Sequence, residues 1–504
     1  MLALTLLIGL LVAIIIWYLI SLTLWAIRAA RLTENIPGPK PLPIIGNLHQ
    51  LTHVKTLDDI TDELLKHLDK YCEPPGMIIK IWLGPTLIIG LGNSQHIETV
   101  LTSEHASRKD MIYSYAKEFL SNGTVSNSGK HWEELRKLIN PFMTKKAIEP
   151  SLGKMHEKSM KLLEVLDDKT ENDKDFSIRY YIAKFTVDVM MAVNFGCDIN
   201  ELENDRPTSL EEVFEKTVEG FSTMLIKFPS CLSTKCGHMT SLGRETKENS
   251  RIYWKLLGEA LEKRKNEMRD NKDETKRIFA DGPIEKAEKD NLSWEEIGNI
   301  VTDFVTAGTH SLSIMVSTAI LLLAMHPEHQ EAVYQEQLEI LGDDPEVAPT
   351  WEQLSQMTFL TRVFKEIIRH MSAPFIFRNI DEDIDLGKYK LPKGCVVMLV
   401  LYAMHRDPAV WSHPEEFYPD HFLPEESAKR PKNSYLPFSW GPRNCPGGQY
   451  AMIVFKVVVS TLIRKYYFKT DIKFEDLKLK YVIFADLKQG QIVKKVPRTL
   501  LKSN

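Results

Sequence analysis

The longest uninterrupted apolar stretch runs from Leu2 to Ile27, carries no charge, and ends at Arg28 and Arg31. About 20 apolar residues in a helix span a bilayer core, so this stretch predicts a single-pass transmembrane helix. Its basic residues follow the apolar run, whereas a cleaved secretory signal has them in front. That flank predicts a retained anchor over residues 1–30, with the rest of the chain on the cytosolic side. Pro37, Pro39, Pro41 and Pro43 come next, and prolines so closely spaced predict an extended linker over 31–46.

From Met77 to Gly92, two β-branched runs flank Gly84-Pro85, the pattern of a hairpin. Between Ser94 and Leu341 the apolar positions recur mainly at helical spacing. In Trp254 to Arg269 an apolar face opposes a Lys/Glu face. Lys272 to Asn291 is charged, poor in apolar residues, and reads as a solvated loop. Short strands return in Asp383 to Val400, and an apolar helix follows Cys445. No repeat and no Gly/Ser-rich boundary divides residues 47–504, which predicts one mainly α domain with a small β lobe, an α+β fold.

Composition narrows the partners. A chain of 504 residues, 43% hydrophobic, buries a large core without disulfides or structural metals. A formal net charge of −5 excludes the basic balance expected of a nucleic-acid-binding protein. Of Cys72, Cys197, Cys231, Cys236, Cys395 and Cys445, only Cys231 and Cys236 lie close in sequence, with no second pair at zinc-site spacing. Reduced thiols in a cytosol-facing domain follow.

The candidate chemistry centres on Phe438-Ser439-Trp440-Gly441-Pro442-Arg443-Asn444-Cys445-Pro446-Gly447, directly before the apolar helix. A metal-bound thiolate needs a cysteine in a fixed loop with backbone N–H groups near the sulfur, and an arginine can neutralise a carboxylate of a bound cofactor. This loop resembles the haem-binding signature of the cytochrome P450 superfamily, which it matches at Phe438, Gly441, Arg443, Cys445 and Gly447. The resemblance extends over essentially all of the chain after the anchor and implies that family's fold, with Cys445 as axial ligand of a haem b iron. Glu366-Ile367-Ile368-Arg369 is similar to the family's charged pair beneath the haem. Pro374 to Arg378 is similar to the segment that supplies a propionate-binding arginine, here Arg378. Trp132 and Arg136, at i,i+4 on one helical face, match the positions where an indole and a guanidinium donate to a propionate. Residues 128–142 look most like the lipid-hydroxylating clan of microsomal members, arthropod ones among them.

Three departures bear on mechanism. Thr306-Ala307-Gly308-Thr309-His310-Ser311 stands where the family's oxygen-side helix carries a small-residue pair, an acid and a threonine. Ala307 and Gly308 fit a face that leaves room for dioxygen, His310 takes the acid's place, and Ser311 keeps a hydroxyl. His310 is then the candidate proton relay, since an ordinary histidine titrates near pH 6.5. His421 replaces the arginine that normally joins the Glu366–Arg369 pair, which predicts a weaker or rearranged network. Ala307 occupies the place of the glutamate that becomes ester-linked to haem in related members, so no such link is expected.

The resemblance implies a monooxygenase at the endoplasmic reticulum membrane, taking electrons from NADPH–cytochrome P450 reductase, with cytochrome b5 as a second donor. The substrate class is lipophilic: a fatty acid, a sterol or hormone, or a foreign compound. Lys130, Lys137, Lys429, Arg430 and Lys432 fall in segments expected to frame the reductase face. An isomerase or dehydratase acting on lipid peroxides, which needs no proton relay, and a non-catalytic haem sensor or lipid carrier are the competing readings. Substrate choice would lie in loops around Ser107 to Thr124 and Thr208 to Lys235.

Overall fold

Leu2–Leu32 form the first helix (α1) of the computed structural model, whose described residues are 2–54, 56–72, 77–109, 113, 117, 121–204, 210–227, 239–270, 278–290, 293–481 and 484–501. Its large apolar side chains from Leu4 to Ile20 stand exposed, and the helix is long and apolar enough to cross a membrane. The end of α1 docks on the protein. Trp25 Nε1 donates to the Lys393 carbonyl at 2.8 Å, its ring meets Trp82 edge-on at 5.8 Å, and Arg28 pairs with Asp383. The proline segment that follows is no free strut, and it turns back at 43–45 under a Leu42–Gly46 bridge. Lys80 N donates to the Pro37 carbonyl at 2.8 Å. Asn47 donates to the carbonyls of Pro39 and Lys40 and accepts from Trp82 N.

Helix α2 (Leu57–Tyr71) starts at a reciprocal cap between Thr56 and Asp59. Strands β1 (Ile78–Leu83) and β2 (Thr86–Leu91) form the expected antiparallel hairpin. The helical run then comprises α3 (Ser94–Thr102), α4 (Gly129–Ile139), α5 (Leu152–Lys169), α6 (Ile178–Phe195), α7 (Leu210–Lys227), α8 (Ser241–Asp270), α9 (Asp281–Asp290), α10 (Trp294–Met325), α11 (Pro327–Leu341) and α12 (Thr358–Met371). Strands β3 (Phe375–Asn379) and β4 (Val396–Val400) complete a sheet of order β1-β2-β4-β3, in which β2 and β4 run parallel. Helix α13 (Gly448–Lys465) follows the cysteine loop.

Helix α10 also has the length and composition of a membrane span, but it is the core helix, buried against α6 and α13. The solvated-loop expectation for 272–291 needs correction, because its second half is α9. Phe279, Ala280 and Ile284 bury apolar surface there, and Asp281 receives two 2.8 Å bonds from Arg264. A bidentate pair and three buried side chains outweigh the charged composition. Cys72, Cys197 and Cys395 are buried free thiols. Cys231, Cys236 and parts of both substrate-loop segments lie outside the described residues.

Candidate active site

The cysteine loop closes on itself. Cys445 N donates to the Phe438 carbonyl at 2.8 Å and Asn444 N to that of Gly441 at 3.1 Å. Gly441 is left-handed, with φ 77°, and a Cβ there would stand 3.0 Å from the Leu101 carbonyl oxygen, so two constraints select glycine. Phe438 stacks on Phe364 of α12, which fixes the loop to the core. The Cys445 side chain keeps accessible surface, yet burial pushes its thiol up while the Gly447 N–H, Arg136 and Lys109 pull it down. A group both accessible and desolvated lines an enclosed space rather than open solvent.

Cations gather around that space. Arg378 is buried, gives Nη1 to the Phe377 carbonyl at 2.9 Å, and its buried Nη2 has no partner among the described residues. Arg443 is buried, donates to the Asn127 carbonyl at 2.7 Å, and lies 4.2 Å from the centre of the Trp132 ring. Burial, then Arg378, Arg443 and Arg136, drive the Lys109 amine well below the usual lysine range. Like charges packed this closely, one guanidinium nitrogen bare, fit an anionic group such as a pair of propionates. Both terminal nitrogens of Arg136 donate to Asn444, at 2.9 Å to the carbonyl and 2.8 Å to Oδ1, so it braces the cysteine loop.

On α10, most of whose residues are buried, Ala307 is exposed and Ser311 half-exposed, so this face borders a gap. Phe304, one turn before, meets Tyr450, which lies in the first turn of α13, at 5.5 Å. The open face and the Cys445 loop therefore flank the same gap. Ser311 Oγ donates to the Ala307 carbonyl at 2.6 Å. Gly308 lets α10 approach α6 closely, since a Cβ there would lie 2.4 Å from Cε of Met190. His310 also turns off the open face, its ring against Phe214 at 5.5 Å and Phe484 at 6.3 Å. Burial, then Arg179, push it down to about 3, so it is neutral near physiological pH.

The buried acid of this helix is Asp303, one turn before Ala307. It accepts from Val125 N at 2.8 Å and Thr124 Oγ1 at 3.0 Å, tying α10 to the loop before α4. Burial raises it to about 6 against those bonds and the charge of Lys109.

Beneath the loop, Glu366 takes 2.9 Å and 2.8 Å bonds from Arg369, which also donates to the carbonyls of His405, Pro414 and Glu416. Burial would raise Glu366, but His370, His421 and Arg369 hold it well below the carboxylate range. His421 Nδ1 stands 3.3 Å from both carboxylate oxygens, and the rearrangement expected here is completed by Arg430. Its guanidinium stacks on Trp411 at 4.5 Å and donates to the His421 carbonyl. Arg430 is thus a network residue, while Lys130, Lys137, Lys429 and Lys432 are exposed.

Sequence reasoning missed Lys109 and Asp303. Lys109 is placed by non-local pairing of Arg108 with Asn379, next to Arg378, and no motif marks it. Asp303 had a signal, an acid on the inner face of an otherwise apolar helix.

The profile of the cytochrome P450 family matches residues 36–484. The chain is 28% identical over 502 residues to cytochrome P450 4g1 of Drosophila melanogaster, covering 92% of this chain and 89% of that protein. It is 27% identical over 472 residues to cytochrome P450 4V2 of Homo sapiens, covering 90% and 89%. Cytochrome P450 4c3 of Drosophila melanogaster is 29% identical over 506 residues, covering 95% and 93%.

Proposed function

The chain belongs to the cytochrome P450 family, and on that premise we propose that it inserts one atom of O2 into a fatty acid, sterol or foreign compound, using NADPH electrons relayed by the membrane reductase. It is a haem-thiolate monooxygenase of lipophilic substrates. Anchored by α1 in the endoplasmic reticulum membrane, it would draw substrate from the lipid phase. The observation that carries this reading is the gap between α10 and the cysteine loop, with a thiol on one side, an accessible small-residue face on the other, and converging cations at its edge.

Cys445 would ligate the iron, its sulfur tempered by the Gly447 N–H. Lys109, Arg378 and Arg443 would take the propionates, with Trp132 beneath the Arg443 guanidinium. When bound, the haem supplies reductive activation of O2 and transfer of one of its atoms to substrate. Arg136 keeps the cysteine loop in place through Asn444. Ser311 holds a hydroxyl proton at the open face after turning from the Ala307 carbonyl, and with His310 neutral and turned aside, further protons arrive through water. Exposed Lys130, Lys137, Lys429 and Lys432 would guide an acidic electron donor.

The test is turnover of lipophilic candidates in vesicles with reductase, NADPH and isotopically labelled O2. Single-atom label in a product supports the reading. Conversion of a lipid peroxide without reductase, and no labelled product with it, would replace it by the isomerase.

A further inference from the structure

Where α10 gives way to α11, the sequence His326-Pro327-Glu328-His329 brings three metal-ligating side chains together, outside the cofactor site. One ligating atom of each lies within 4.8 Å of the other two. His326 Nδ1 and Glu328 Oε1 are 3.4 Å apart, and the two imidazole centres 5.6 Å.

The rings are held by apolar neighbours. Phe417 and Phe474 flank His326 at 5.2 Å and 5.9 Å, while Phe417 and Phe359 flank His329 at 5.8 Å and 6.0 Å. Aromatic walls orient an imidazole without competing for its nitrogens, and His326 Nε2 is buried with no partner among the described residues.

A first-turn His–Glu contact on a helix surface is commonplace and by itself implies nothing. Here a second imidazole converges on the same carboxylate, and two imidazoles with one carboxylate are a donor set that divalent ions of intermediate softness take. The positive end of α11 opposes a cation. The Glu328 carboxylate answers it.

We infer that His326, Glu328 and His329 form a surface site for one divalent transition-metal ion of the Zn2+ type, with water completing its shell. A bound ion joins the last residue before α11 to that helix's first turn, so it clamps the corner between α10 and α11.

The probe is Zn2+ alone, on the untagged, haem-loaded full chain in chelator-stripped buffer, with zinc and iron counted after equilibrium dialysis. The expected result is one zinc per iron, and a thermal midpoint that rises with free Zn2+. Glu328→Gln and His329→Gln should each weaken zinc binding about tenfold or more, while His53→Gln leaves it unchanged. Glu328 is exposed, so its variant keeps the fold and the test readable should a histidine variant misfold. No zinc retained by wild type, or equal zinc affinity in wild type and Glu328→Gln, overturns the site.

Discussion

Asp303 accepts the backbone N–H of Val125 at 2.8 Å, joining the core helix to a loop 178 residues earlier in the chain. That loop continues to Asn127, whose carbonyl takes the Arg443 guanidinium. One carboxylate therefore helps set the approach to both sides of the gap. Its folded value of about 6 stands above the roughly 3.9 of an unfolded aspartate. The stability gained from the bound proton is fully present below about pH 4 and is lost as pH rises through about 6. Asp303→Asn keeps an acceptor for Val125 and should gain on wild type across that window by roughly 2–3 kcal/mol, then run level. Thermal midpoints of the two proteins from acid to neutral pH check this, and a constant difference would refute it.

Removing a cation should loosen the haem without changing its ligand. Each charge-assisted hydrogen bond to a propionate is worth about 1.5–3 kcal/mol, or roughly ten- to hundredfold in retention. Arg378→Ala and Lys109→Gln should therefore speed haem transfer to an acceptor protein while the thiolate signature of the reduced carbonyl complex persists. Wild-type retention in either variant removes that residue from the site.

Cys445→Ala should abolish that signature altogether, and the haem of the wild type should extract freely into acidified organic solvent because Ala307 forms no ester. Haem that stays with the polypeptide after extraction contradicts the second statement.

Ser311→Ala should uncouple turnover, consuming NADPH and releasing more hydrogen peroxide per product. His310 behaves differently. Its folded value of about 3 lies below an ordinary imidazole's, so the stability of the neutral form is present above pH ~6.5 and is lost as pH falls toward 3. The ring is uncharged at both pH 6 and pH 8, and His310→Ala should alter coupling by the same factor at each. A larger effect at the lower pH would restore the imidazolium as donor.

What the residues declare in advance is whatever neighbours in sequence decide. The anchor, the hairpin at Gly84-Pro85 and the ten-residue cysteine loop are local patterns, and each takes its expected form. The parts not legible depend on which elements meet. Lys109 reaches the cations because Arg108 bridges to Asn379, some 270 residues on. That Gly308 faces Met190 of α6 is likewise set by which helices pack together. Arg430 restores a guanidinium to the His421 network only because the chain brings it back over Trp411.

The docking of Trp25 and Arg28 onto the protein makes the anchor a lever rather than a tether. A helix that outreaches its bilayer relieves the mismatch by tilting. Here the tilting end is fastened to Trp82 in β1, to the Lys393 carbonyl and to Asp383. Any tilt of α1 would therefore load the sheet β1-β2-β4-β3, whose far strand carries Arg378. The end of the anchor helix and the strand bearing Arg378 are thus joined through one hydrogen-bonded sheet.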